Sequence, residues 1–516
     1  MITPIAIIQL GLSPAAAFAL AAASVTLLTA SLHIIYNLYL HPLRHYPGPR
    51  SWAATQIPYL RAWLSGRAMF VIADLHTRYG EVVRVAPNRL SYNSPQAWHD
   101  IRGHRKSGQG ENGKDADFYR TSQHNLLGAD RATHARMRRL LAHGFSAKAM
   151  LAQQPLIASY VDLFIARLCD IVRENEGKGP TEVNLVAWFN YVTFDVIGDL
   201  AFGAPFESLA RGREHPWVAA VFNSVEEFGR VLAVRWYAPL LLPVLKAVAG
   251  LGVPIQQQAD FVGGQIDKRL GLEGRRPDFI DSLLHAKRED GEAGLTREEI
   301  VQNMRLVVLA GSETTATVLS GAVFFLARHK EVQRKLAREV RERFKREDEI
   351  DMLSVQGLTY MLAVLDETMR MFPPVPASMP RTCQPGGDMI CGQPVPGGTG
   401  LDIWPWALNY STGNFAVPDE FIPERWVEDG RDPKFDNDRR EALQPFSVGP
   451  RNCIGKNLAY VEMRLILARL VWNFDLSLAD EDNWKNWITD SRCFNLWLKE
   501  PLPVQLTPAS HAPIKG

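Results

Sequence analysis

A ten-residue stretch near the C-terminus constrains this chain of 516 residues more than any other: Phe-Ser-Val-Gly-Pro-Arg-Asn-Cys-Ile-Gly, from Phe446 to Gly455. Its one reactive atom is the sulfur of Cys453. Gly449 and Gly455 let the backbone turn tightly and pass close to a flat partner, because a residue without Cβ tolerates conformations that others avoid. Arg451 sets a permanent positive charge two residues before the sulfur. Directly afterwards Leu458, Val461, Leu465 and Ala468 recur at helical spacing, so the thiol sits at a helix N-terminus. The partial positive charge there favours thiolate, and a metal ion would complete the deprotonation. Spacing excludes a phosphate loop, since Gly449 and Gly455 enclose five residues and Lys456 precedes Asn457. Covalent haem attachment through Cys-x-x-Cys-His is absent.

A thiolate on a glycine-framed loop, with an arginine for a carboxylate beside it, suits the proximal face of a haem. An inert cysteine in a turn is the competing reading. Phe446, Gly449, Arg451, Cys453 and Gly455 meet the Phe-x-x-Gly-x-Arg-x-Cys-x-Gly pattern of the cytochrome P450 family, which the sequence resembles from about Tyr46 to Leu506. The resemblance implies a mainly α fold with small β-sheets (α+β) and one haem b whose iron is ligated by Cys453. Length alone would suggest three or four domains, but no stretch resembles a flexible linker and no internal repeat is seen.

From Met1 to Ser31 no side chain is charged, and the first Lys or Arg is Arg44. The run from Ala15 to Leu40 is long enough for a hydrocarbon core of about 30 Å. It lacks the positive n-region and short apolar core of a cleavable signal, so an uncleaved anchor is expected. Arg44, Arg50, Arg61 and Arg67 all follow it, which puts the body in the cytosol, on the endoplasmic reticulum membrane. The expected division is 1–45, a membrane anchor and hinge, and 46–516, a haem-thiolate catalytic domain. Tyr46-Pro47-Gly48-Pro49 resembles the proline-rich hinge of microsomal family members. A formal charge of +1 gives no reason to expect nucleic acid. Five scattered cysteines favour a reducing compartment without a disulfide framework.

Other segments are read from their spacing and then from the resemblance. Val82–Val85 is strand-like, and a polar loop follows around 108–113. Asp130–Phe145 reads as a helix on which His134 and Arg138 share a face; the resemblance implies that both reach haem propionates. Arg136 and Arg139 stay open between that role and a solvated basic face. Thr193–Phe206 is similar to a helix of fungal members that tailor secondary metabolites. Thr296 and Glu299 form a capping box, and a helix should run from there to about His329. Within it, Ala310-Gly311-Ser312-Glu313-Thr314-Thr315 is a poor choice for a buried helix, because Gly costs about 1 kcal/mol and an unpaired carboxylate more. Such a violation marks function. Threonine hydroxyls can compete for backbone carbonyls and open a groove. The resemblance implies that Thr314 bonds the activated oxygen and that Glu313 feeds protons. A polar kink is the alternative.

The charged run Ala327–Ile350 reads as a solvated face. Glu367 and Arg370 lie three apart, and the resemblance joins them to Arg425 in a folding trio. Arg381 matches the family's propionate-binding arginine. Val375–Met379 and Cys493–Leu496 are expected at the pocket, with a small sheet built from pieces near Ile390 and Leu401–Ile403. Asn409-Tyr410-Ser411 is a glycosylation pattern, unmodified if cytosolic.

The resulting expectation is a membrane-anchored haem-thiolate monooxygenase acting on a lipophilic small molecule, a terpenoid, polyketide or alkaloid. NADPH-cytochrome P450 reductase would supply electrons, docking against Arg439, Arg440, Arg451 and Lys456. An oxygen-independent haem-thiolate isomerase or dehydratase, and a membrane haem-binding protein without turnover, are the alternatives.

Overall fold

The computed structural model describes residues 13–106, 109–119, 123–176, 181–237, 253–272, 274, 276–283 and 294–510. Residue 108 of the expected polar loop and the first twelve residues of the anchor lie outside them. Helices make up most of the described chain, with small sheets between and beside them.

The longest helix, Arg297–Arg328, is the axis of the body. Its start is the expected capping box: the Thr296 hydroxyl accepts from the Glu299 N–H at 3.2 Å, and the Glu299 carboxylate accepts from the Thr296 N–H at 2.8 Å. It stays α-helical throughout, so the polar motif inside it does not interrupt the ladder. The helix Leu185–Phe202 packs against it and is buried almost all round. That helix carries two acids, and both are satisfied. Asp195 accepts from the Ser208 and Leu209 N–H groups at 3.2 and 2.8 Å, and Asp199 accepts from Tyr160 at 2.8 Å and from Arg276. Gly203, at φ +72°, ends the helix in the left-handed conformation that suits glycine.

Pro14–Ile35 is a helix with no buried residue, extended by a π-turn over Tyr36–Leu40. Its large apolar side chains, such as Phe18 and Leu27, lie fully outside the packed body. The helices Leu185–Phe202 and Arg297–Arg328 are also long and apolar enough to cross a membrane, but 89% and 67% of their apolar windows are buried in the fold. Among the described residues this leaves Pro14–Leu40 as the long apolar helix whose apolar window is not buried in the fold, a candidate membrane anchor. Asn37, at its end, donates to the Ala54 carbonyl at 2.9 Å and ties it to the body.

Five short strands form one sheet in the order Val82–Ala86, Arg89–Tyr92, Gly400–Ile403, Arg381–Thr382, Gly113–Lys114. The register sets Lys114 opposite Arg381, two cations side by side. The piece near Ile390 is not part of this sheet, contrary to expectation. Cys391 and Gly392, at φ +49° and +74°, fold Asp388–Ile390 back onto Gln393–Val395 as a tight hairpin, so its backbone groups are satisfied locally. The helix Lys330–Arg343 is solvated on one face only; Val332, Leu336, Ala337 and Val340 are buried on the other.

Glu367, Arg370 and Arg425 come together without exposed surface. Arg370 spans both Glu367 oxygens at 2.8 and 2.9 Å, and Arg425 reaches Glu367 at 3.1 Å and Asp438 at 2.6 Å. Asn409 of the glycosylation pattern is buried, its amide donating to the Met369 and Arg370 carbonyls at 3.4 and 2.9 Å. A glycan has no access to it.

Candidate haem site

The Phe446–Gly455 loop is closed by the Cys453 N–H donating to the Phe446 carbonyl at 2.9 Å and the Asn452 N–H donating to Gly449 at 3.1 Å. Gly449 has φ +78°, and a Cβ there would stand 1.9 Å from the Arg102 carbonyl oxygen, so no other residue fits. Gly455 is different. Its φ is −88°, it caps the helix Lys456–Asn473, and a Cβ would meet nothing closer than 3.8 Å. Its freedom from a side chain is therefore not needed for the turn. The Phe446 ring packs on Tyr460 at 5.1 Å.

Cys453 keeps open surface on the loop. The walls around its sulfur nevertheless desolvate it and push the thiol up, while the Gly455 N–H, Arg138 and Lys456 pull it down. Open surface and desolvation are compatible here, because one side of the sulfur faces space and the others face protein. Burial outweighs the pull of the Gly455 N–H at the helix start, and a bound cation would favour the thiolate.

Beside this loop is a concentration of buried positive charge. Arg381 and Arg451 line one cleft with Arg102 and Arg131. Arg381 is buried with its Nε unpartnered, and burial, with Arg451 nearby, lowers its pKa. Arg102 donates to the Met379 carbonyl at 2.7 Å and to Ser447 at 3.3 Å, leaves its own Nε unpartnered, and is lowered to about 10 by burial and by Arg381. Lys114 is lowered to about 6 by burial and then by Arg381, Arg451 and Arg102. Burial, Arg451 and Lys114 bring His134 to about 3, so its imidazole is neutral near pH 7. Arg451 donates to the Ala129 carbonyl at 2.9 Å and pairs with Glu111 at 3.0 Å.

Several cations that depress one another, with orphaned donors among them and Glu111 as the paired acid, call for a ligand bearing more than one carboxylate. A haem edge carries two. The residues present fit that group.

Some expectations are corrected by this geometry. Arg138 shares a helix with His134 as expected, and it donates two N–H groups to Asn452, at 2.6 and 2.5 Å, which ties it to the loop as well. Arg136 is half-buried and pairs with Glu299 at the start of the long helix. The Arg451 side chain is only 7% exposed, so it cannot serve a docking partner, whereas Lys456 is exposed. Sequence reasoning missed Arg102 and Lys114. Their membership depends on sheet register and on the loop crossing at Gly449, neither of which leaves a local motif.

On the long helix, Ala310 and Thr314 share a stripe that keeps open surface, and the Thr314 hydroxyl donates to the Ala310 carbonyl at 2.6 Å. The expected competition for backbone carbonyls is present, but it leaves the helix regular. Glu313 is wholly buried and accepts from Lys499 and from Thr317, the latter at 3.3 Å. Burial lifts its carboxyl above the ordinary range, against the pull of Lys499 and Thr317. A separate groove of about 540 Å³ lies between the helix Lys330–Arg343 and Asp475–Ser477; it is a charged surface feature that shares no residue with this site.

A thiol loop, a dicarboxylate-sized cationic edge and a buried acid next to a helical threonine define a haem-thiolate oxidoreductase. The comparisons agree: residues 47–507 match the cytochrome P450 family model, and the chain belongs to that family. It is 42% identical over 482 residues to the trichothecene C-15 hydroxylase of Fusarium sporotrichioides, covering 92% of this chain and 95% of that protein. It is 43% identical over 485 residues to the averantin hydroxylase of Dothistroma septosporum, covering 92% and 88%. The cytochrome P450 monooxygenase astJ of Aspergillus oryzae is 40% identical over 481 residues, covering 92% and 94%. The chain is a haem-thiolate monooxygenase of fungal secondary metabolism, with the mainly α fold and haem cofactor of its family.

Proposed function

We propose that Cys453 is the haem ligand, that Arg381 and Arg451, with His134, Arg102 and Lys114, hold the haem carboxylates, and that the enzyme hydroxylates a lipophilic secondary metabolite. The observation that carries this is the buried cationic cluster beside the Cys453 loop, which pairs with Glu111 and still leaves the Nε groups of Arg102 and Arg381 without acceptors. The trichothecene and averantin hydroxylases support hydroxylation as the reaction, since each name describes a hydroxylase.

Thiolate-ligated haem supplies oxygen activation at the expense of two electrons, placing one oxygen atom in the substrate and releasing the other as water. The chain's own residues do the rest. Gly449 and the Arg138–Asn452 bonds fix the loop that presents the sulfur. The cations orient the group by its carboxylate edge. Thr314, on the open stripe, can exchange its Ala310 carbonyl for a new partner and pass a proton, and Glu313 one residue earlier holds the proton it passes.

Electrons come from NADPH-cytochrome P450 reductase, which meets the exposed Lys456 and the rim around it; Arg439 and Arg440 are engaged with Glu81 and Glu428 and contribute less. Residues 1–45 anchor the chain to the endoplasmic reticulum membrane, and 46–516 form the cytosolic catalytic domain. The carbon monoxide spectrum of the reduced chain tests the core of this reading. A thiolate-type band lost in Cys453→Ala is the expected result; nitrogen-type ligation in the wild type would overturn it. Product analysis with polyketide and terpenoid intermediates then tests the substrate class.

A further inference from the structure

Lys499 follows the strand Leu496–Leu498 and is buried, its side chain 2% exposed, against a Glu313 with no exposure at all. It donates to the Glu313 carboxylate and, at 3.0 Å, to the Thr317 hydroxyl, which itself donates to Glu313. The other Glu313 oxygen is buried without a partner. This lysine is held on both sides. Trp497 donates to the Pro373 carbonyl at 2.8 Å, and Trp487 donates to the Glu500 carbonyl at 2.9 Å. Burying an ammonium group is costly, so its position needs a reason.

We propose that Lys499 is a positioning residue for proton delivery: with Thr317 it fixes the Glu313 carboxylate on the helix stripe next to that of Thr314 and keeps it able to release and regain a proton. The proposal rests on the assignment of Glu313 as the proton donor. Glu313 and Thr317 are four apart, as are Ala310 and Thr314, so the acid and the hydroxyl occupy adjoining stripes of one helix. Without the lysine, burial would push the Glu313 carboxyl further up, and Thr317 alone would orient it. In the step itself the Glu313 carboxylic acid gives up one proton and its carboxylate takes one back from solvent; no electron moves in it.

The test uses the full-length, haem-loaded protein with its reductase and four variants: Lys499→Met, Lys499→Arg, Glu313→Gln and the double variant Lys499→Met/Glu313→Gln. In infrared difference spectra at neutral pH, Lys499→Met should gain the carbonyl band of a protonated carboxylic acid, and the double variant should lose it. NADPH consumption in water and in heavy water should slow by roughly tenfold in Lys499→Met, with an enlarged solvent isotope effect, while Lys499→Arg stays near wild type. Where Lys499→Met fails to fold, Lys499→Gln takes its place in both measurements, keeping a donor to the Glu313 carboxylate without the charge. Unchanged kinetics in Glu313→Gln would overturn the assignment of the acid. A slowed Glu313→Gln beside a wild-type Lys499→Met, with no new band, would overturn the role of the lysine alone.

Discussion

Arg138 gives one N–H to the backbone oxygen of Asn452 at 2.6 Å and another to its side-chain oxygen at 2.5 Å, clamping the residue that precedes Cys453. A planar guanidinium can serve two acceptors in this way, whereas an ammonium is a point donor. Arg138→Lys should therefore loosen the loop by about 1.5–3 kcal/mol, the usual worth of a charged hydrogen bond. The expected outcome is faster haem loss to a scavenging globin with little change in circular dichroism. An unaltered transfer rate would show that the Asn452–Gly449 turn holds the loop unaided.

Glu367 is shared by two arginines and by the Trp426 indole, which donates to it at 2.9 Å. Replacing the carboxylate leaves Arg370 buried without a carboxylate partner and Arg425 with Asp438 alone. Glu367→Gln should cost about 3–5 kcal/mol, read from urea denaturation of the haem-loaded chain. Asp438→Asn should cost less, because Arg425 keeps Glu367.

Much of this architecture is legible in the sequence wherever the cause is local. The capping box at Thr296 predicts the start of the long helix, and uncharged Met1–Ser31 predicts an apolar helix. The Glu367, Arg370 and Arg425 trio is legible from a different source, family resemblance, since spacing alone cannot separate it from a surface pair. What escapes is whatever two distant segments decide together. Lys114 meets Arg381 across 267 positions of chain only through strand register, and Lys499 meets Glu313 only because a C-terminal strand ends over the long helix. Arg451 misleads for the same reason: its charge is visible in sequence, and the Glu111 that buries it is not.

Gly449 and Gly455 look equivalent in the motif and differ in space. Gly449→Ala places a methyl group against the Arg102 carbonyl at φ +78°, and should yield chain that retains little haem. Gly455→Ala meets its nearest neighbours, Phe145 and the Cys453 sulfur, at 3.8 and 4.0 Å. It should fold with wild-type melting behaviour before haem is added. Comparable destabilisation of the haem-free chain by both would show that the two glycines serve the same turn.

Lys114 gives the haem-free chain a pH signature with a definite sign. Its pKa falls from the usual 10.5 to about 6 on folding, so between those values the unfolded chain binds the extra proton. Stability from this group therefore rises with pH from about 6 to about 10 and is lost as pH falls through that window. Glu462, buried and raised from 4.5 to about 8, acts oppositely over its own range. The Lys114 contribution is accordingly the difference between wild type and Lys114→Met, measured by urea denaturation at several pH values. Binding of a dicarboxylate edge should raise the Lys114 pKa again, so haem uptake near pH 8 should draw protons from a weakly buffered solution. Lys114→Met should take up fewer. Equal proton uptake by both proteins would remove Lys114 from the carboxylate site.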